Sequence, residues 1–233
     1  LLHRIVSEIF TKAKVIIYDN NEITSTDFIQ KIGDIDLVKE AESWGFNLDV
    51  KKGRTPPLTE TMFEKGRLIW EFEKIRIAYR IDDIRSRYPY CQADAFVFLV
   101  LPVVVEQRLN GAFLGLSQNL AVDGYIFSQG MVVDLKFDPG QRDFHRLTTA
   151  GYAMVMESLY EFPVDLGCIV YVRFKNNQIR LKRDFHHISD ELRQWFIEER
   201  DRRIGLIQDE IDPGRPDECY EACPYKDICD GNA

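Results

Sequence analysis

Two apolar stretches each carry one acidic residue. Ala121-Val-Asp-Gly-Tyr-Ile-Phe holds Asp123, and Met131-Val-Val-Asp-Leu-Lys-Phe holds Asp134. Lys136 follows Asp134 by two positions, which is the same face of a strand because the side-chain period is two. Neighbouring strands can therefore bring two carboxylates and one ammonium to one spot. Hard carboxylate oxygens suit Mg²⁺ or Mn²⁺. A cation there would polarise a phosphodiester, stabilise the leaving oxygen and generate hydroxide from bound water. A lysine beside it can orient that water or offset negative charge. A lone Asp-x-Lys more often amounts to a turn carboxylate and a snorkelling lysine. A second carboxylate on a neighbouring apolar stretch moves the balance toward chemistry.

Downstream, Asp143-Phe-His-Arg-Leu-Thr-Thr-Ala-Gly-Tyr carries His145, Arg146, Thr148 and Tyr152. These could form an aromatic and basic wall for a DNA strand. Ordinary packing by Leu147, Tyr152 and Met156 is the plainer use of most of these positions. A second centre lies at the C-terminal end, where Cys219, Cys223 and Cys229 crowd into Cys219-x3-Cys223-Pro-Tyr-Lys-Asp-Ile-Cys229. Soft thiolates suit an iron–sulfur cluster or Zn²⁺. Three thiolates cannot complete a tetrahedral site, so a fourth ligand is expected elsewhere, with Cys91 one candidate and a residue upstream of Leu1 another. Cys168 sits in a β run and reads as a small buried hydrophobe.

The composition bounds what these centres can serve. The 233 residues include 30 Lys+Arg and 38 Asp+Glu, a formal charge of -8. That balance argues against a protein that holds nucleic acid by charge alone, but not against an enzyme that reaches it through a groove and a metal. With 45% apolar and 12% aromatic residues the chain can build a core and is not disordered. The longest apolar run, Ala95 to Val105, is interrupted by Pro102 and is far short of the ~20 residues a spanning helix needs. Five cysteines, three of them clustered, suit a metal or cluster site in a reducing, cytoplasmic setting rather than a disulfide framework. The opening Leu1-Leu2-His3-Arg4 has no initiating Met and no signal-peptide pattern, and it leads straight into a helical pattern, so residues upstream are expected.

The elements that must position these groups are legible in outline. Leu2, Ile5, Val6, Ile9 and Phe10 predict a helix to about Lys14, followed by a short apolar run, Val15 to Tyr18. Ser25-Thr26-Asp27 can cap a second helix, and Lys51 to Pro57 reads as a linker. From Thr59 a long helical pattern runs to Tyr88-Pro89. Then come a strand at Val103, turning at Asn110-Gly111, and strands over Leu120–Phe127 and Met131–Phe137, which together form a meander. A helix over Thr148–Tyr160, a hairpin of Leu166–Phe174 with Gln178–Phe185 around Asn176-Asn177, and a helix capped at Ser189 complete the order. The expected class is α/β or α+β, a sheet flanked by helices. The expected divisions are a helical region over 1–90, a core with the final helix over 91–212, and a cysteine loop over 213–233.

Asp-x-Lys on a meander, then a helix, then Cys-x3-Cys-Pro-x4-Cys, resembles the RecB-like branch of the PD-(D/E)xK nucleases. More closely, the chain is similar to the CRISPR-associated Cas-four exonuclease family in its archaeal branch. Leu101-Pro-Val-Val-Val-Glu-Gln-Arg-Leu-Asn-Gly, Val133-Asp-Leu-Lys-Phe, Glu157-Ser-Leu-Tyr-Glu-Phe-Pro-Val-Asp, Leu192-Arg-Gln-Trp-Phe-Ile-Glu-Glu-Arg-Asp and Cys223-Pro-Tyr carry the likeness. The resemblance implies a restriction-endonuclease-type core, a central mixed sheet flanked by helices. It implies metal-dependent cleavage of DNA, mostly single-stranded ends, during acquisition of CRISPR spacers, beside the integrase subunits of the adaptation complex. A homo-oligomer is compatible with it, and a membrane is not involved.

Residue by residue, the resemblance assigns the metal to His3, Asp123, Asp134 and the carbonyl of Leu135, and catalysis to Asp123, Asp134 and Lys136. It gives Tyr152, with Arg146 nearby, to DNA. It gives Cys219, Cys223 and Cys229 to an iron–sulfur cluster, 4Fe–4S in preference to 2Fe–2S, whose fourth ligand would lie upstream of Leu1 and otherwise be Cys91. The sequence departs from the family where a Gln is common, at Thr148, and has Asp134 where Glu is commoner. A non-catalytic scaffold of the adaptation complex that recognises DNA ends is the alternative.

Overall fold

The computed structural model describes residues 1–20, 22–46, 59–137, 140–212, 214 and 229. The linker expected at 51–57 and the ligand candidates Cys219 and Cys223 lie outside the described residues. Among the described residues, five strands and seven α-helices form an α+β architecture around one mixed sheet in the order β1-β2-β3-β4-β5.

The helical layer comes first. Helix α1 (Leu2–Tyr18) buries Leu2, Ile5, Ile9, Ala13 and Ile17, a spacing of three to four that makes one continuous stripe. It runs through Val15–Tyr18, because Ile17 continues that stripe where the sequence suggested a separate apolar run. Helix α2 (Ser25–Ile32) starts one residue earlier than the serine suggests. Thr24 is the N-cap, and with Asp27 it closes a capping box that satisfies donors at both ends of the first turn. A short helix α3 (Leu37–Ser43), capped by Asp36, was not anticipated. The long helix α4 (Glu60–Arg87) begins at the Thr59 cap and buries Ile69, Trp70, Ile77, Ala78, Ile81 and Ile84. At about 1.5 Å per residue it is roughly 40 Å long. Trp70 donates its indole N–H to the carbonyl of Gly33 at 3.0 Å, tying α4 to the end of α2. Helix α5 (Ala93–Val100) takes the first part of the long apolar run and buries Phe96 and Val100. That stretch lacks a helical polar face, since most of its residues are apolar, so periodicity could not reveal it.

The sheet follows. Strands β1 (Val103–Leu109), β2 (Leu120–Ile126) and β3 (Met131–Phe137) form the antiparallel meander, with a 3-10 turn at Ala112–Leu114 between the first two. Helix α6 (Arg146–Tyr160) then crosses over to β4 (Leu166–Lys175), which lies parallel to β3. Strand β5 (Gln178–His187) returns through the Asn176-Asn177 turn, where both residues have positive φ (50° and 58°) as a type I′ hairpin requires. Helix α7 (Asp190–Gln208), capped by Ser189, closes the chain's described core.

The sheet separates two apolar layers. Odd positions of β3, Val133, Leu135 and Phe137, line a cavity of about 180 Å³ beneath α1 and α4. The even position Val132 packs with Ala150, Ala153 and Met156 of α6. Cys168 is buried within the sheet, and burial pushes its thiol pKa up to about 11, as a small hydrophobe's would be. Among the described residues no helix is long and apolar enough to cross a membrane.

Candidate active site

The candidate site forms where two strands part. Strands β2 and β3 pair from Ile126↔Met131 to Gly124↔Val133, and no further. Beyond that point β2 stays with β1 as far as Leu120, while β3 stays with β4 as far as Phe137. Asp123 and Asp134 are the first residues past the parting. A main-chain N–H that loses its strand partner must find another acceptor. Here Leu135 donates to the Asp123 carboxylate at 2.8 Å. The acid at 123 thus replaces a ladder bond and is fixed by it.

Helix α1 brings His3 to the same place. Lys14 anchors that helix on the sheet by donating to the carbonyl of Val103 at 2.7 Å. His3 Nε2 lies 2.9 Å from the carbonyl oxygen of Leu135 and 3.5 Å from Asp123 Oδ2. Its ring meets Phe137 edge to face, with centroids 4.8 Å apart. Since a carbonyl only accepts, Nε2 carries the proton in this arrangement. Binding a cation would require the other neutral tautomer, with Nδ1 protonated.

Asp134 and Lys136 form the second half. Both project toward α6, and Lys136 Nζ stands 2.8 Å from Asp134 Oδ2. Apart from this ammonium, the buried oxygen has no hydrogen-bond partner among the described residues. Asp134 is 3% exposed. Burial, opposed by Lys136 and aided by the negative charge of Asp123, pushes its carboxyl up to about 6. A buried acid with a free lone pair beside a second acid is suited to a cation.

The donor set fits a hard divalent ion in part. Octahedral ligation at about 2.1 Å places neighbouring ligand atoms about 3 Å apart, close to the 2.9 and 3.5 Å that separate His3 Nε2 from the Leu135 oxygen and from Asp123 Oδ2. Among the described residues, however, no three His, Cys, Asp or Glu side chains form a ready-made cage. The pre-assembled atoms are two side chains and one carbonyl. Asp134 is held toward Lys136 and would have to share its oxygen.

Further residues reach the same spot. Tyr152 of α6 has its phenol pushed up to about 12 by burial and by the charges of Asp123, Asp134 and Glu106, so it stays an O–H donor facing acids. Thr148, one turn earlier, lines a groove with Phe144 and Trp195 instead. Arg146 makes two hydrogen bonds to Asp184, at 2.9 and 2.8 Å. Its guanidinium is therefore tied to the fold through Asp184, although the side chain stays partly exposed. His145 is buried and shares a 3.0 Å hydrogen bond with the hydroxyl of Tyr171, the residue paired with Lys136 across β3 and β4. Burial, then the charges of Lys136 and Arg142, lower the pKa of His145 and keep it neutral.

Glu106 was not singled out from the sequence. It stands opposite Asp123, between the pairs Val105↔Gly124 and Gln107↔Val122, and has a positive φ of 52° in mid-strand. Val103 and Val105 line the cavity under α1 and α4, whereas Leu109 packs with α6. The left-handed residue is where β1 changes the layer its odd positions face. Strain of this kind concentrates at functional sites. Its signal was available: Glu106, like Asp123 and Asp134, is the single acid of its strand and follows a run of apolar residues.

Cys91 is half-buried after α4 and Cys229 is exposed. The geometry of the expected cluster rests on Cys219 and Cys223, outside the described residues.

A fold of one mixed sheet between helical layers, with acids where two strands part, defines the class of protein. The chain belongs to the family of CRISPR-associated exonuclease Csa1, whose model matches residues 1–232. A curated protein of that name from Saccharolobus solfataricus is 30% identical over 70% of this chain and 56% of its own length. One from Thermoproteus tenax is 29% identical over 75% of this chain and 62% of its own. The chain thus spans less than two thirds of these relatives. A crystal structure of a protein from Eubacterium rectale to which exonuclease function is attributed aligns with TM-score 0.44 and 17% identity, over 95% of this chain and 74% of the other.

Proposed function

We propose that this chain carries the catalytic centre of a metal-dependent deoxyribonuclease of the PD-(D/E)xK type, which trims single-stranded DNA ends before CRISPR spacer acquisition. The observation that carries the reading is the meeting of His3, Asp123 and the Leu135 carbonyl beside the Asp134–Lys136 pair. The names of the related proteins support the exonuclease part of it. Action beside integrase subunits comes from the resemblance alone.

His3, Asp123, Asp134 and the Leu135 carbonyl would hold Mg²⁺ or Mn²⁺, which when bound supplies a hydroxide nucleophile and charge for the leaving oxygen. Lys136 holds a positive charge where phosphoryl oxygens become more negative, and its Nζ can donate to the attacking water. Tyr152, kept neutral, donates its O–H to a non-bridging oxygen of the strand. Asp123 orients the β3 backbone by accepting from Leu135. Arg146 positions the start of α6 through Asp184 and offers DNA at most its three remaining N–H donors. Cys219, Cys223 and Cys229 would bind an iron–sulfur cluster, which thiolates suit. Replacement of Cys229 by Ala should bleach the visible absorption of the purified protein, and a colourless protein holding zinc would refute the cluster.

The nuclease reading is tested by Mn²⁺-supported cleavage of end-labelled single-stranded DNA, which should need Asp134, Asp123 and Lys136. The alternative is a non-catalytic subunit that binds DNA ends, and the lack of a three-side-chain cage among the described residues favours it. Titration with Mn²⁺ separates them, since the nuclease binds the ion through Asp123 and Asp134 and the scaffold does not.

A further inference from the structure

The chain is acidic overall, yet one element is strongly basic. From Arg173 to Asp184 the β4–β5 hairpin carries Arg173, Lys175, Arg180, Lys182 and Arg183 against a single carboxylate, Asp184. Strand pairing sorts these charges by face. Lys136↔Tyr171 and Tyr171↔Lys182 form one row across β3, β4 and β5, and Arg173↔Arg180 forms the next. Alternation places Lys136, Lys182, Arg173, Arg180 and Lys175 on the same side of the sheet. Arg183 points the other way, into the cavity under α4. A basic stripe thus begins at the candidate catalytic lysine and runs outward along the hairpin. With strands about 4.8 Å apart and about 3.3 Å per residue, Arg173 lies only about 8 Å from Lys136 along the backbone.

Two features show that the outer part of the stripe is not internally compensated. Among the described residues no carboxylate forms an ion pair with Arg173, Lys175 or Arg180, all of which are exposed; Lys182, also exposed, donates to the side-chain oxygen of Gln141 and lies in the field of Asp184. Arg173 and Arg180 face each other directly, with Cβ atoms about 5 Å apart, and like charges in that position destabilise a hairpin. The hairpin also projects beyond β3, which ends at Phe137↔Val172, so among the described residues no strand lies beside this end of the stripe on the β3 side. An anion at such a cross-strand arginine pair relieves the repulsion, and a run of such rows fits anions repeated along a chain.

We propose that this face of the hairpin, through Arg173, Arg180 and Lys182, is the track for the sugar-phosphate backbone of the DNA strand next to the scissile bond. The track deepens the nuclease reading and rests on it for its direction relative to the cut. It also resolves the paradox of an acidic chain that handles DNA, because the affinity is local and owed to one hairpin.

The test is fluorescence anisotropy of a labelled, mixed-sequence single-stranded oligonucleotide with the full chain in EDTA, across a range of salt concentrations. Loss of two phosphate contacts in Arg173→Gln/Arg180→Gln should weaken binding severalfold and flatten the log K against log salt slope by about 1.4, at about 0.7 per contact. Arg173→Lys/Arg180→Lys should keep the slope. The Gln variant should melt at the same temperature as the wild type or higher, because the repulsion is gone. An unchanged slope in the Gln variant, an equal loss in the Lys variant or a lower melting temperature would overturn the proposal. Cleavage by the wild type with Mn²⁺ is scored separately. Salt-dependent binding that the Gln variant loses, without any cleavage, would sink the nuclease reading and leave the track standing.

Discussion

The imidazole of His3 and the main-chain carbonyl of Leu135 meet at 2.9 Å across 132 positions of sequence. Leu135 is held at its other polar atom too, since its N–H donates to Asp123. One residue of β3 is therefore clamped between the first helix and the second strand, and the clamp places Asp134 and Lys136 on either side of it.

Removing the helical half of the clamp separates chemistry from stability. The His3 side chain is 46% exposed, so His3→Ala should cost no more than about 1 kcal/mol in chemical denaturation. Cleavage should fall by roughly tenfold or more. Equal activity in a folded variant would remove His3 from the site.

Asp134 should make stability depend on pH in an unusual direction. Its carboxyl titrates near 6 in the fold, against an ordinary value of 3.8. The folded state therefore holds the proton more tightly than the unfolded chain. The associated stability is fully present below about pH 4 and is lost as pH rises through 6, amounting to about 3 kcal/mol. Asp134→Asn should melt higher than wild type above pH 6, and its stability should lack that decline. Mn²⁺ should raise the melting temperature of the wild type and not of the variant. Parallel curves with and without the substitution would contradict the assignment.

Arg146 is expected to act through the fold. Its two hydrogen bonds join the start of α6 to β5, and the pairing lowers the pKa of Asp184. Asp184 should therefore lose its contribution to stability only on acidification below the usual carboxylate range. The guanidinium is partly exposed, so Arg146→Ala should cost about 1–2 kcal/mol. A double-mutant cycle with Asp184→Ala should show coupling. Additive effects would free Arg146 for a direct role in DNA binding.

The contact of α6 with α7 has little slack. A Cβ on Gly151 would come within 2.6 Å of the Phe196 ring. Gly151→Ala should destabilise by roughly 1–3 kcal/mol through that overlap. An unchanged unfolding midpoint would mean that α7 shifts freely.

What the sequence made legible follows from where information is local. The period of two put Asp134 and Lys136 on one face, and the structure pairs them. The cap at Ser189 and the Asn176-Asn177 turn were readable because cap and turn chemistry depend on neighbouring residues. Helix α5 was not readable, since a run without polar residues carries no period. The parting of β2 and β3 was not readable either, because it depends on which strand each one follows after Gly124 and Val133. His3 came from resemblance alone, as a histidine on an amphipathic helix has nothing local to mark it. Glu106 had the same pattern as the two aspartates, but its role depends on the backbone turning left-handed there. The stripe of Arg173 and Arg180 needed the register of β4 and β5, while the overall charge of -8 pointed the other way.

The most direct test is Mn²⁺-dependent cleavage of end-labelled single-stranded DNA by the wild type and by Asp134→Ala, with folding checked by circular dichroism. Cleavage by the wild type and its loss in the folded variant is the expected result. Undiminished cleavage by Asp134→Ala would contradict a catalytic centre at the parting of β2 and β3.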